Sequence, residues 1–396
     1  MNSRTSILSL VLLMTPALFG QAADSAEPQL SPAERSIAKA QDMIAKQPGY
    51  VPYWNGLAMA YARRARETSD VAFYGKAEEA IATSLKLSPN DFEAQKAKTW
   101  VLLGRHEFAA AREVATQLNM RTPDDVTVYG YLADANAELG NYKEAVNAVQ
   151  KMLDLRVGNI PGLTRAAYLR ELHGDLTGSL DLMQTAYDAA PFNETEDRAW
   201  LLTQMSHLQF LMGDLKQSEM YATGALGLFP NYHYALAALA RVREAQHRYD
   251  DEVALLQQRY NDAPHAENLF SLGEALLHAG KTEEAQKAFA RFEKESLGES
   301  GIGDNSNREL IAYYVDIAHN AKKALELADR ELAIRHDVYT LDAHAWALFA
   351  NGQNAQALEE IHKATAIGVK DPTVLAHAAA IEARMTTASA TTPAKR

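Results

Sequence analysis

The chain has 396 residues, 47% hydrophobic and 23% charged, so it folds around apolar cores rather than staying disordered. Its formal net charge is −12 and no Lys/Arg stripe stands out, which argues against a nucleic-acid partner, because that binding needs clustered cations to displace counterions. It has no cysteine, which excludes disulfides, thiolate nucleophiles, cysteine metal sites and a lipid on an N-terminal cysteine.

In chain order, residues 1–22 read as a secretory signal peptide. Met1–Ser6 carries Arg4 and no acid, Ile7–Phe19 is a 13-residue apolar run, and Gly20-Gln21-Ala22 offers small residues for cleavage. The run is short for a membrane span, so no stable membrane insertion is expected after cleavage; an uncleaved anchor is the alternative. Export follows, with the periplasm as the expected location and secretion as the other destination. Residues 23–31, rich in Ala, Pro and Ser, read as a flexible leader. Residues 32–49 read as an N-terminal half-repeat helix stopped by Pro48.

A period then takes over. Ala77, Ala111, Ala145, Ser179, Ser218, Glu252, Ala285, Ala324 and Ala357 follow one another at steps of 34, 34, 34, 39, 34, 33, 39 and 33 residues. Twelve residues after five of them stands a helix-stopping proline: Pro89, Pro123, Pro191, Pro230 and Pro264. The turn inside each unit recurs as Gly140-Asn141, Gly174-Asp175, Gly213-Asp214, Gly280-Lys281 and Gly352-Gln353, where glycine closes one helix and a polar residue opens the next. First helices carry a large residue, a small one and another large one on a single face, as in Trp54, Leu57, Ala58 and Tyr61. The second unit allows two registers, one through Gly104 and Ala109, the other through Ala111 and Pro123. Glu252 stands where the other units have a small residue. The first unit has about seven extra residues near Glu67–Gly75, and the 39-residue steps read as polar loop insertions at 193–197 and 298–305. Residues 371–385 read as an amphipathic capping helix and 386–396 as a disordered tail.

These residues resemble the tetratricopeptide repeat family over residues 50–370. The resemblance implies an all-α fold, an α-α solenoid of about nine helix-turn-helix repeats with terminal capping helices. It also implies that the first helices line the concave face. Residues one turn from the packing positions then point into it: Tyr131, Asp134, Glu138, Arg165, Tyr168, Glu171, Trp200, His207, Phe210, Arg241, Glu244, Phe270, Glu274, Tyr313, Asp316, Tyr339, Trp346 and Phe349. Aromatics mixed with charges suit protein or peptide recognition, and packing between helices is the competing role for the same side chains. The Lys/Asn/Arg set with which some members grip a peptide carboxylate is absent; Gly130, Thr164, Thr203, Ala237 and Phe270 stand at those sites.

Catalytic signatures are weak. Gly298-Glu299-Ser300-Gly301-Ile302 lacks the last glycine of a nucleophile elbow and its strand-to-helix setting. His233, His247, His265 and His278 fall in successive repeats but without ligand spacing. No metal, catalytic or cofactor site is expected. The function expected is a non-catalytic exported scaffold or adaptor that binds a protein or peptide, in cell-envelope assembly or export. A carbohydrate-binding accessory of an envelope export system is the alternative, and a metal-dependent enzyme comes third.

Overall fold

The computed structural model describes residues 30–299 and 306–390. The expected signal peptide, most of the leader, residues 300–305 with Ser300–Ile302, and residues 391–396 lie outside the described residues. No strand occurs among the described residues, and none of their helices is long and apolar enough to cross a membrane.

Helix α1 (Pro32–Lys46) starts at a capping box in which Ser31 and Glu34 satisfy each other's backbone N–H groups. Nine helix pairs follow: α2 (Val51–Thr68) with α3 (Ala72–Leu87), α4 (Phe92–Gly104) with α5 (Phe108–Arg121), α6 (Val126–Glu138) with α7 (Tyr142–Leu155), and α8 (Ile160–Leu172) with α9 (Leu176–Ala189). Next come α10 (Thr195–Leu211) with α11 (Leu215–Leu228), α12 (His233–Ala245) with α13 (Tyr249–Asp262), and α14 (Ala266–His278) with α15 (Thr282–Glu299). In the eighth pair α16 (Asn307–Ala312) runs into a π-helical turn (Tyr313–Ile317) before α17 (Ala321–Leu332). The ninth is α18 (Val338–Ala350) with α19 (Asn354–Thr365), and α20 (Pro372–Ala390) covers the end. Consecutive helices pack against each other throughout, so the architecture is the expected α-α solenoid of nine repeats.

The periodic small-residue sites are the packing centres. Eight of them are 0% exposed and Glu252 is 3% exposed. A larger side chain at any of these points would force the paired helices apart. Glu252 tolerates its burial because His278, from the next first helix, lies 3.1 Å from its carboxylate. Burial pushes the Glu252 carboxyl up, partly offset by that histidine. Ala111 is fully buried and Pro123 follows α5, which selects the second of the two registers open in that unit.

Four expected boundaries are corrected. The extra residues of the first repeat are absorbed as added helical turn in α2 and α3, leaving only Ser69–Val71 between them. The insertion read as loop 193–197 extends α10 instead: Thr195, Glu196 and Asp197 form its first turn. Acidic residues suit that position because they complement the helix dipole. The capping helix reaches Ala390 rather than 385, and Gly298 and Glu299 belong to α15.

The ribbon of repeats is coiled tightly enough for its turns to touch. The α6–α7 turn lies on the loop that follows repeat 8, where His336 N–H donates to the Glu138 carbonyl at 3.2 Å and Val338 N–H donates to the Tyr142 hydroxyl at 2.9 Å. The α8–α9 turn lies on the loop that follows repeat 9. A Cβ at Gly174 would sit 2.5 Å from the Gly368 carbonyl oxygen, and one at Gly140 would sit 2.7 Å from that of His336. One apolar cluster crosses this contact, joining Ala137 and Leu172 to Val338 and Val369.

Candidate functional site

The first helices face a narrow lumen, and half of the side chains expected there contact one another. Arg165 on α8 reaches back over α6, where Nε and Nη2 donate to the two carboxylate oxygens of Asp134 at 2.7 and 2.5 Å. Gly130 makes room: a Cβ there would meet Arg165 Cζ at 3.3 Å. Burial opposes the Arg165 charge, but Asp134 more than restores it, so the pKa is raised. His207 on α10 stands between neighbours in the same way. Its Nε2 is 3.0 Å from Glu171 on α8, and Arg241 of α12 donates to its Nδ1 at 3.1 Å. Arg241 also lies 4.5 Å over the Phe210 ring. At the C-terminal end Trp346 stacks on His377 of α20 (4.1 Å between centroids, 10° between planes) and on Phe349, and its indole N–H donates to Asp316 at 3.0 Å. Trp200 is half-buried against the cluster around Leu201 and Met205.

Of the expected wall residues, Tyr313 is instead in the core at 9% exposed, while Tyr131 and Phe270, at 5% and 8% exposed, are largely buried and present only an edge to the chambers. Tyr313 packs edge-on and tilted against Phe292 and Phe289. In a tightly coiled ribbon the position one turn from the packing site still meets the adjacent repeat.

Two chambers remain in the lumen. The larger, about 650 Å³, is lined by Met59 and Arg66 of α2, Trp100 of α4, Asp134 and Glu138 of α6, Arg165 and Tyr168 of α8, and Arg308 and Arg335 from repeat 8. The smaller, about 390 Å³, has Phe270, Arg308, Tyr339, Trp346 and His377 among its walls. Arg308 serves both, and its side chain keeps 34% of its surface while pairing with Asp337 at 3.4 Å. Burial and the nearby Asp337 push the Glu138 carboxyl up to about 7, against the pull of Arg308 and Arg335. Glu274 is pushed further, to about 8, by partial desolvation beside the lumen wall and by Glu244, Asp316, Glu252 and Glu309, although its own side chain is exposed to solvent.

The Glu274 shift has a measurable sign. Its folded-state pKa lies above the unfolded value of 4.5, so the folded state holds the extra proton and loses stability as pH rises from about 4.5 to about 8. Glu274→Gln is therefore expected to melt with wild type at pH 4 and above it at pH 8.5, by only about 1 °C because solvent screens an exposed carboxylate. An equal difference at both pH values would show that Glu274 is not crowded by carboxylates.

The histidines do not converge. His233 is buried with Nε2 3.2 Å from the Arg66 carbonyl, and burial lowers its pKa to about 3. His247 and His278 do flank one ring, that of Tyr249. Among the described residues no group of three His, Asp or Glu is placed to hold a metal ion. Sequence reading missed Arg66, Arg308 and Arg335 of the chamber walls. Each is an ordinary polar residue of a helix or loop, and only the coil brings it to the lumen.

No protein-family signature matches the chain, and comparison with curated proteins gives no match. Solved structures do match. A chain of the APC/C hetero-tetramer Cut9–Hcn1 aligns with TM-score 0.50 and 12% identity, over 88% of this chain. This chain spans 58% of that one. Human IFIT1, as a dimer with m7Gppp-AAAA, aligns with TM-score 0.50 and 13% identity, over 83% of this chain and 84% of its own. Both are helical-repeat proteins of the tetratricopeptide type. The fold is a tetratricopeptide-type α-solenoid. Within that solenoid, first helices supply most of the chamber walls, joined by Phe108 of α5, Val149 and Met152 of α7, Arg335 after α17 and His377 of α20.

Proposed function

We propose that this solenoid is a non-catalytic exported scaffold that binds a protein or peptide segment on its inner wall, in cell-envelope assembly or export. The observation that carries this is the pair of chambers, about 650 and 390 Å³, built mainly from first-helix side chains of several repeats. Their walls mix aromatics, arginines and carboxylates, the composition of recognition surfaces rather than of a reaction centre. Cut9–Hcn1 is a hetero-tetramer, so the same fold builds protein assemblies there. Export is supported by the apolar run 7–19 behind Arg4. With a net charge of −12, nucleic acid is not the partner we propose.

The chain expressed with residues 1–22 in place, crosslinked in cells and recovered from the envelope fraction, is expected to carry a polypeptide partner. Trp346→Ala should lower recovery about tenfold, equivalent to ~1.4 kcal/mol. Phe192→Ala, at an 88% exposed position in the α9–α10 loop, should not. Retention by both variants would remove the inner wall as the binding face. Recovery of a polysaccharide in place of a polypeptide would turn the assignment to a carbohydrate-binding accessory.

A further inference from the structure

The contact between turns of the coil has two different chemistries. Near the C-terminal end it is apolar and close-packed: one cluster spans repeats 3, 4 and 9, and backbone meets backbone at Gly140 and Gly174. Near the N-terminal end α2 touches α10 almost wholly through charge. Arg63 Nη2 is 2.6 Å from Glu194 and 3.4 Å from Asp197. Arg66 pairs with Glu196, and its Nη2 is 2.5 Å from Asp197. The backbone carbonyl of Arg66 meets His233. No apolar cluster bridges this contact: that of repeat 1 runs from Ile37 to Val101, and that of repeats 4–6 from Leu153 to Ala235.

We propose that this stretch is a latch, at which α2 opens from α10 and admits a partner to the larger chamber. Met59 and Arg66 of α2 form one side of that chamber, so separating α2 unroofs it, while repeats 3–4 stay seated on repeats 8–9. The physical basis is the difference in screening. The partly exposed pairs of Arg63 with Glu194 and Asp197 weaken as salt shortens the Debye length, Arg66–Glu196, with Glu196 fully buried, is screened much less, and apolar burial is not weakened at all. Arg63 and Asp197 keep 20% and 40% of their side-chain surface, so salt and competing charges reach them. The role given to the latch rests on the inner wall being the binding face, but the opening itself is measured without any partner.

The chain has no cysteine, so two spin labels can be placed at will. Labels on Val71→Cys and Asn193→Cys span the latch; labels on Lys143→Cys and Ile334→Cys span the apolar contact. At ~0.01 M salt both pairs should give one short distance. Near ~1 M, where the Debye length is about 3 Å, the Val71/Asn193 pair should gain a population longer by about a helix diameter, ~10 Å, and the other pair should not move. Arg63→Glu should produce that population at low salt, and adding Glu194→Arg should remove it, which separates a latch from misfolding. A single unchanged distance in every variant and salt overturns the latch. Lengthening of both pairs together overturns its confinement to the N-terminal end. A latch that opens in a chain whose partner binding ignores Trp346→Ala would leave the gate standing and the inner-wall function refuted.

Discussion

Gly174→Val is expected to melt far below Gly213→Val, although the two glycines occupy the same turn of successive repeats with φ of +79° and +81°. Any L-residue at either position meets the left-handed strain, roughly 1–2 kcal/mol. The rest of the surroundings differ. Nothing lies within 4 Å of a Cβ at Gly213, whereas at Gly174 the Gly368 carbonyl oxygen is 2.5 Å away. Backbone cannot step aside as a flexible side chain can, so a further cost of about 1–3 kcal/mol is expected from overpacking. The damage should be local to the contact. Amides of α20 should lose hydrogen-exchange protection in Gly174→Val and keep it in Gly213→Val, because stability in a repeat array is a sum of local terms. Equal melting of the two variants would mean that the turns of the coil do not rest on each other there.

Glu196→Ala is expected to destabilise the N-terminal half by about 3–5 kcal/mol, the usual cost of deleting one member of a buried charged group. Glu196 is 0% exposed. It accepts from the Tyr232 hydroxyl at 2.6 Å and pairs with Arg66. Burial raises its pKa, Arg66 and Tyr232 lower it, and burial wins. The guanidinium of Arg66 is likewise disfavoured by burial but held charged by Glu196 and Asp197. Removing Glu196 strands the Tyr232 hydroxyl and leaves the Arg66 guanidinium to Asp197 alone. Removing both charges, as Arg66→Met with Glu196→Leu, should recover most of the loss, because no buried charge is then left unpaired. Urea midpoints of the single and double variants test this. A double variant as unstable as Glu196→Ala would indicate that the pair contributes by attraction rather than by mutual satisfaction.

Much of the packing logic was legible along the chain. A small residue is needed wherever two helices approach closely, and that need recurs once per repeat, so Ala77, Ala145 and Ala285 announce themselves by spacing alone. Prolines and turn glycines mark ends because their backbone limits are local. The candidate site was less legible. Tyr313 lies on the face that periodicity gives to the lumen, yet it is buried against Phe289 and Phe292 of the neighbouring repeat, and Tyr131 and Phe270 reach the chambers only with an edge. A helical face can be read from one sequence, but what covers it cannot. Thr195, Glu196 and Asp197 looked like loop because a first helical turn and a polar loop share a composition. Their partners Arg63 and Arg66 lie roughly 130 residues away, beyond any local pattern.

The repeat, its number and the alternation of its helices were determined by the sequence itself, because each depends on contacts within one unit and its neighbour. The pitch of the coil was not. It is the sum of small rotations between successive repeats, each set by side-chain packing over a whole interface, and small differences accumulate along nine of them. Only the tertiary structure decides that the α6–α7 and α8–α9 turns land on loops five repeats later. That landing turns an open concave face into a lumen with two chambers, closed at one end by apolar packing and at the other by charge.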